Sequence, residues 1–98
     1  MDSQAAIPTV TVIFPHVLRA KIGNRKSVTV AGSTIREIID ALDNDFPGLR
    51  FNLCYETGEL RQYVNIFLDR EDIRYLQGLD TPVHARATIH VLQSVAGG

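Results

Sequence analysis

The segment Thr34–Phe46 limits the folds open to this chain more than any other. Thr34-Ile35-Arg36-Glu37 has the form of a capping box. The Thr34 hydroxyl can accept from the backbone N–H three residues on, and Glu37 can reach back to the N–H of Thr34. Ile35, Ile38, Ile39, Leu42 and Phe46 then recur at helical spacing and form one apolar stripe. Arg36 and Asp40, four apart, fall on the other face. Pro47-Gly48 ends the helix near Phe46. A helix with one apolar stripe has to bury it, and the flanking sequence offers strands to bury it on.

Thr9-Val10-Thr11-Val12-Ile13-Phe14 alternates Thr with Val and then turns wholly apolar, which predicts a strand. Pro15 cannot donate to a ladder and marks a strand end or an edge. Gly23-Asn24 signals a turn, and Ser27-Val28-Thr29-Val30 alternates again. The first unit reads as a hairpin whose long bend carries Arg19, Lys21, Arg25 and Lys26, by default a solvated loop and alternatively a surface for an acidic partner. Ala31-Gly32-Ser33 breaks the second strand before the helix.

Beyond the helix, Leu49, Phe51 and Leu53 suit either a short helical turn or an extended piece, and Glu56-Thr57-Gly58-Glu59 reads as a loop. Tyr63–Leu68 predicts a strand with Val64, Ile66 and Leu68 on one face. Phe67 would then lie on the opposite face, as an exposed docking residue or part of a second small core. Asp69-Arg70-Glu71-Asp72 reads as a charged turn, since it lacks the glycine and distal Glu of a calcium loop. Ile73, Leu76 and Leu79 are spaced for a short helical or irregular crossover interrupted by Gly78. Thr88–Leu92 predicts a last strand with Ile89 and Val91 toward the core. The order strand, strand, helix, strand, crossover, strand suits an α+β domain: a mixed sheet with one helix packed across it. Residues 1–8 form a lead-in, 9–92 the domain and 93–98 an extended tail.

Several function classes are excluded by charge and composition. Ten basic against eleven acidic residues leave a net charge of −1, which does not suit a nucleic-acid binder. No apolar run approaches the length of a membrane span, and Met1-Asp2-Ser3-Gln4 is not the positively charged start of a secretory signal. A single cysteine, Cys54, cannot form an internal disulfide, and these features together predict a cytoplasmic protein. Cys54 has no neighbouring His in sequence and reads as a buried or loop thiol. His16, His84 and His90 lack metal-ligand spacing, so no metal site is expected.

The chemical signal lies at the end of the chain. Gln93-Ser94-Val95-Ala96-Gly97-Gly98 follows the last strand, and no Lys, Arg, Asp or Glu occurs after Arg86. Six extended residues reach about 20 Å. Two glycines without Cβ atoms pass through a channel too narrow for other residues. A thin, uncharged peptide ending in an unhindered carboxylate suits insertion into another protein's active site. A carboxylate must be activated before a sulfur or nitrogen nucleophile can attack it. The chain has no phosphate-binding glycine loop for ATP, so activation is expected from a separate enzyme and the chain itself is expected to be a carrier, not a catalyst.

The tail Val95-Ala96-Gly97-Gly98, the helix opening Ser33-Thr34-Ile35 and the strand Val64-Asn65-Ile66 resemble the ubiquitin-like sulfur carriers of the MoaD and ThiS group. Lys26-Ser27-Val28, Val64-Asn65-Ile66-Phe67 and Glu71-Asp72-Ile73-Arg74 followed by Gly78-Leu79 point, within that group, to the actinobacterial carrier of cysteine biosynthesis. The resemblance implies a β-grasp fold. It implies that an E1-like adenylyltransferase/sulfurtransferase uses ATP to adenylate the Gly98 carboxylate, which becomes a thiocarboxylate (a covalent 1-thioglycine). It assigns recognition of the tail by partners to Val95, Ala96 and Gly97.

The sulfur would pass to an accepting synthase, cysteine synthase-like or the large subunit of molybdopterin synthase. A zinc metalloprotease that trims or recycles the tail is a further implied partner. No bound cofactor is implied. The alternatives are a molybdopterin synthase small subunit, a protein modifier joined to lysines through Gly98, and a purely non-covalent interaction module. Two positions depart from the common pattern of the group. Ala85-Arg86-Ala87-Thr88 stands where a Gly-Asp turn is usual, and Gln93 stands where a proline often precedes the tail.

Overall fold

The computed structural model describes residues 7–94. Five strands form one mixed sheet: β1 (Thr9–Ile13), β2 (Ser27–Ala31), β3 (Val64–Leu68), β4 (Glu71–Asp72) and β5 (Thr88–Gln93), in the order β2-β1-β5-β3-β4. β1 pairs antiparallel with β2 and parallel with β5, while β3 pairs antiparallel with both β5 and β4. Helix α1 (Ile35–Asp45) supplies the other layer, and a short helix α2 (Leu49–Leu53) follows it.

The alternating patterns set the faces. Val10 and Val12 of β1, Val28 and Val30 of β2, Val64 and Ile66 of β3, and Ile89 and Val91 of β5 are all buried. They meet Ile35, Ile38, Ile39 and Leu42 of α1, with Phe46 partly buried at its end. This is the mixed sheet crossed by one helix that the element order predicts.

The capping box forms with one change. The Thr34 Oγ1 accepts from the Glu37 N–H at 3.2 Å, but the Glu37 carboxylate takes the N–H of Ser33, at 2.8 Å, not that of Thr34. An isolated bridge between Thr34 and Pro82 flanks the cap: Ser33 O accepts from the Val83 N–H and Thr81 O from the Ile35 N–H. Arg36 and Asp40 do not pair with each other. Arg36 reaches Asp80 at 3.0 Å, and Asp40 takes Arg50 at 2.9 Å.

Residues 49–53 resolve as helix. Leu49 and Leu53, four apart, are buried, while Phe51 on the opposite side is 61% exposed. An extended strand would have put all three on one face. The Asp43 carboxylate accepts from the N–H groups of Gly48 and Arg50 and so caps this helix from outside it.

Other elements refine the expected order. The basic bend contains a 3-10 helix, His16–Ile22, whose Leu18 and Ile22 are buried. Gly23 (φ 71°) closes it, followed by Asn24 at φ 61°. The charged turn includes β4, whose Asp72 and Glu71 face Phe67 and Leu68. In the crossover Ile73 is fully buried and Leu79 partly so, whereas Leu76 turns outward. Arg86 sits at φ 68°, so the turn before β5 keeps a left-handed residue without glycine. Hydrogen bonds from Arg86 N to Thr9 O and from Ala87 N to His84 O hold it there.

Candidate functional site

The sheet order puts β5 between β1 and β3, so the chain leaves toward its tail from the middle of the sheet. β5 runs one residue past the expected Leu92, with Gln93 opposite Val64. The Ser94 N–H then donates to Tyr63 O at 2.8 Å. Val95, Ala96, Gly97 and Gly98, the residues assigned to partner recognition and thiocarboxylate formation, lie outside the described residues.

Three polar side chains meet at the root of the tail. The Asn65 Nδ2 donates to Ser94 Oγ at 3.1 Å, and the Asn65 Oδ1 accepts from Arg74 Nη1 at 2.7 Å. The Arg74 Nη2 also donates to Val64 O and Arg61 O, at 2.8 and 3.1 Å. Arg74 is held in turn by its own N–H on the Asp72 carboxylate. β4 is only two residues long and pairs only with Phe67 and Leu68, and the Arg74 guanidinium occupies the edge of β3 beyond it. Nothing in the periodicity of the sequence links these groups; Asn65 and Ser94 stand 29 residues apart.

The sheet face turned away from α1 forms the second part of the site. Ile13, His90 and Phe67 are in register across β1, β5 and β3. Alternation puts them opposite the core. Phe67 is half-buried on this face, between His90 and Asp72. Leu92, on the same face of β5 and nearer the tail, is 48% exposed.

The other candidate groups are engaged elsewhere. Cys54 is buried beside α2, and burial pushes its thiol above the ordinary value despite nearby Arg50, Arg36 and Arg61. Asp69 accepts the Thr88 N–H at 3.1 Å and meets His84 Nε2 at 2.9 Å. The Thr88 N–H, then His84, hold the Asp69 carboxyl below its usual range, and Asp69 raises His84. His16 lies on the 3-10 helix, His84 in the loop before β5 and His90 on β5, and among the described residues no three His, Cys, Asp or Glu side chains gather as metal ligands. Arg19 of the basic bend donates to Phe14 O, while Lys21, Arg25 and Lys26 are exposed. No described helix is long and apolar enough to cross a membrane.

The sequence profile of the ThiS family matches residues 12–98, which takes in nearly all of the sheet and the whole tail. The chain belongs to the ThiS family. Over 91 residues it is 35% identical to the sulfur carrier protein CysO of Mycobacterium tuberculosis, covering 91% of this chain and 98% of that one. Its fold superposes on the Amycolatopsis orientalis BexX/CysO complex with a TM-score of 0.85 and 37% identity, over 91% of this chain and 99% of the matched chain. Small archaeal modifier protein 1 of Methanosarcina acetivorans shares the fold at a TM-score of 0.82, with 24% identity over 96% of this chain and 100% of that one. The architecture of this ThiS-family chain is thus the ubiquitin-like β-grasp.

Proposed function

We propose that this chain is a sulfur carrier that works through its C-terminal glycine. The observation that carries the reading is the 35% identity to a sulfur carrier protein over 91 residues, joined to a family match that runs through Gly98. In the proposed cycle an E1-like enzyme binds the tail and ATP. A Gly98 carboxylate oxygen attacks the α-phosphorus, pyrophosphate leaves, and an acyl-adenylate forms. Hydrosulfide adds to the acyl carbon and AMP leaves, giving the thiocarboxylate; where the sulfur comes as a donor persulfide, its terminal sulfur adds, AMP leaves, and a second thiol cleaves the acyl disulfide, forming a disulfide with the donor. The sulfur then passes to a biosynthetic acceptor, with a cysteine synthase-like enzyme favoured by the likeness to CysO.

In this reading the chain is a co-substrate, and its own residues present the tail. Phe67, with Ile13, His90 and Leu92 on the open sheet face, is the proposed docking surface for the activating enzyme. Val95, Ala96 and Gly97 fill the channel that leads to its nucleotide. The likeness to a CysO solved in complex with BexX supports a carrier that docks as a folded domain.

The test is intact mass after incubation with the cognate activating enzyme, ATP and a sulfur donor. The expected gain is the difference between a sulfur and an oxygen atom, located on Gly98 by fragmentation. An unchanged mass, with an enzyme that is competent to form adenylates, overturns the reading. A ladder of conjugates that survives reduction in cell extract would instead identify a protein modifier.

A further inference from the structure

We propose that Arg74, Asn65 and Ser94 form a hydrogen-bonded relay that fixes the root of the tail and aims it for loading. This inference rests on the sulfur-carrier reading, because it concerns how the reactive end is presented.

The geometry is specific. Arg74 has a planar fork of donors, and three of its acceptors are in place: Asn65 Oδ1, Val64 O and Arg61 O, at 2.7, 2.8 and 3.1 Å. Two of these are backbone carbonyls, of Arg61 just before β3 and of Val64 at its start, so the guanidinium is set by the main chain. It holds the Asn65 amide in one orientation, with Oδ1 toward Arg74 and Nδ2 toward Ser94. Ser94 is then held twice, by its side chain on Asn65 and by its N–H on Tyr63 O. Without these two bonds the strand would end at Gln93, and Ser94 would be unheld.

A tail that must thread a narrow channel binds better when its first residue is already aimed. Ordering a residue on binding costs free energy, and a residue ordered beforehand does not incur that cost again. Arg74, Asn65 and Ser94 touch no reacting atom, so they are positioning residues. Their loss should weaken the encounter with the activating enzyme and leave the chemical step alone, because the seated tail makes the same contacts there.

The experiment is pyrophosphate exchange by the cognate activating enzyme, with the carrier varied as substrate. Ser94→Ala and Asn65→Ala should each raise KM for the carrier about five- to tenfold, the scale of one lost hydrogen bond, with kcat unchanged. Ser94→Thr keeps the hydroxyl and should restore the wild-type KM. The double variant should be no worse than the worse single one, since both break the same link. Arg74→Lys, which cannot span three acceptors, should behave like Asn65→Ala.

Amide exchange of the Ser94 N–H gives a second readout that needs no partner. It should quicken in Asn65→Ala while core amides of β5 keep their protection. Wild-type KM in both Ser94→Ala and Asn65→Ala, or unchanged Ser94 exchange in Asn65→Ala, overturns the relay. Failure of the wild-type chain to support exchange with a competent enzyme overturns the carrier reading instead, and the amide measurement still decides whether the relay orders the tail.

Discussion

Thr81 is the one polar side chain that is buried among the described residues, at 4% exposure. Its Oγ1 donates to Gly78 O at 2.7 Å and accepts from the Gln77 N–H at 3.0 Å. Its backbone carbonyl takes the Ile35 N–H at the start of α1, at 3.1 Å. The hydroxyl thus closes the crossover, and the backbone carbonyl of the same residue holds it on the helix. Thr81→Val keeps the shape and removes the hydroxyl. Gly78 O retains a partner, the Thr81 N–H, but the Gln77 N–H loses the hydroxyl that satisfies it. An orphaned donor at a part-buried position, plus one lost bond, costs about 2 kcal/mol. For a domain of this size that corresponds to a fall in Tm of about 10 °C. Urea unfolding should show a lower midpoint with an unchanged m-value. Thr81→Ser, which keeps both bonds, should lose only about 1 kcal/mol through its missing methyl. A Thr81→Val variant as stable as the wild type would refute the argument that the hydroxyl closes the crossover.

Gly32 is buried, and a Cβ there would stand 2.8 Å from Ile38 Cδ1 and 3.0 Å from the Ile38 nitrogen. Gly32→Ala should therefore destabilise by about 1–3 kcal/mol, as overpacking against backbone does, read as a lower urea midpoint. The His84–Asp69 pair makes stability depend on pH in two windows. His84 is raised above its ordinary 6.5, so its contribution is complete below pH 6.5 and fades as pH rises through the folded value. Asp69 is lowered from 3.8, so its contribution is present above pH 3.8 and fades as pH falls through the folded value. The pair is exposed and the effect small. Urea midpoints of wild type and His84→Ala should differ most near pH 5, and the gap should narrow as pH rises above 6.5; an equal gap throughout would show that the charge plays no part.

The fold was legible where one period dominated. The stripe from Ile35 to Phe46 predicted α1, and apolar alternation predicted four strands, with the core face read for those at 64–68 and 88–92. Phe51 shows where legibility ends. Leu49, Phe51 and Leu53 alternate like a strand, and only the outward turn of Phe51 reveals a helix too short for its period to register. β4 was hidden because two charged residues carry no pattern; its pairing depends on Phe67 and Leu68 being presented to it. The 3-10 helix at 16–22 buries only Leu18 and Ile22, four apart and separated by Arg19 and Lys21, so the stretch reads as a basic bend. At the candidate site, alternation alone put Phe67 on the sheet face opposite the core. The Asn65–Ser94 contact could not be read in this way, because it depends on the register of β3 with β5.

The central place of β5 has a consequence for synthesis. Before residues 88–93 are available, the β1–β2 hairpin and the β3–β4 pair share no edge, and each presents a strand with unmet backbone groups. The parallel match of Thr11 with Thr88 joins residues separated by most of the chain, which is a slow kind of closure. Until its final strand emerges, a nascent chain therefore lacks the strand that joins the two pairs, and that interval is when their edges are open to mispairing.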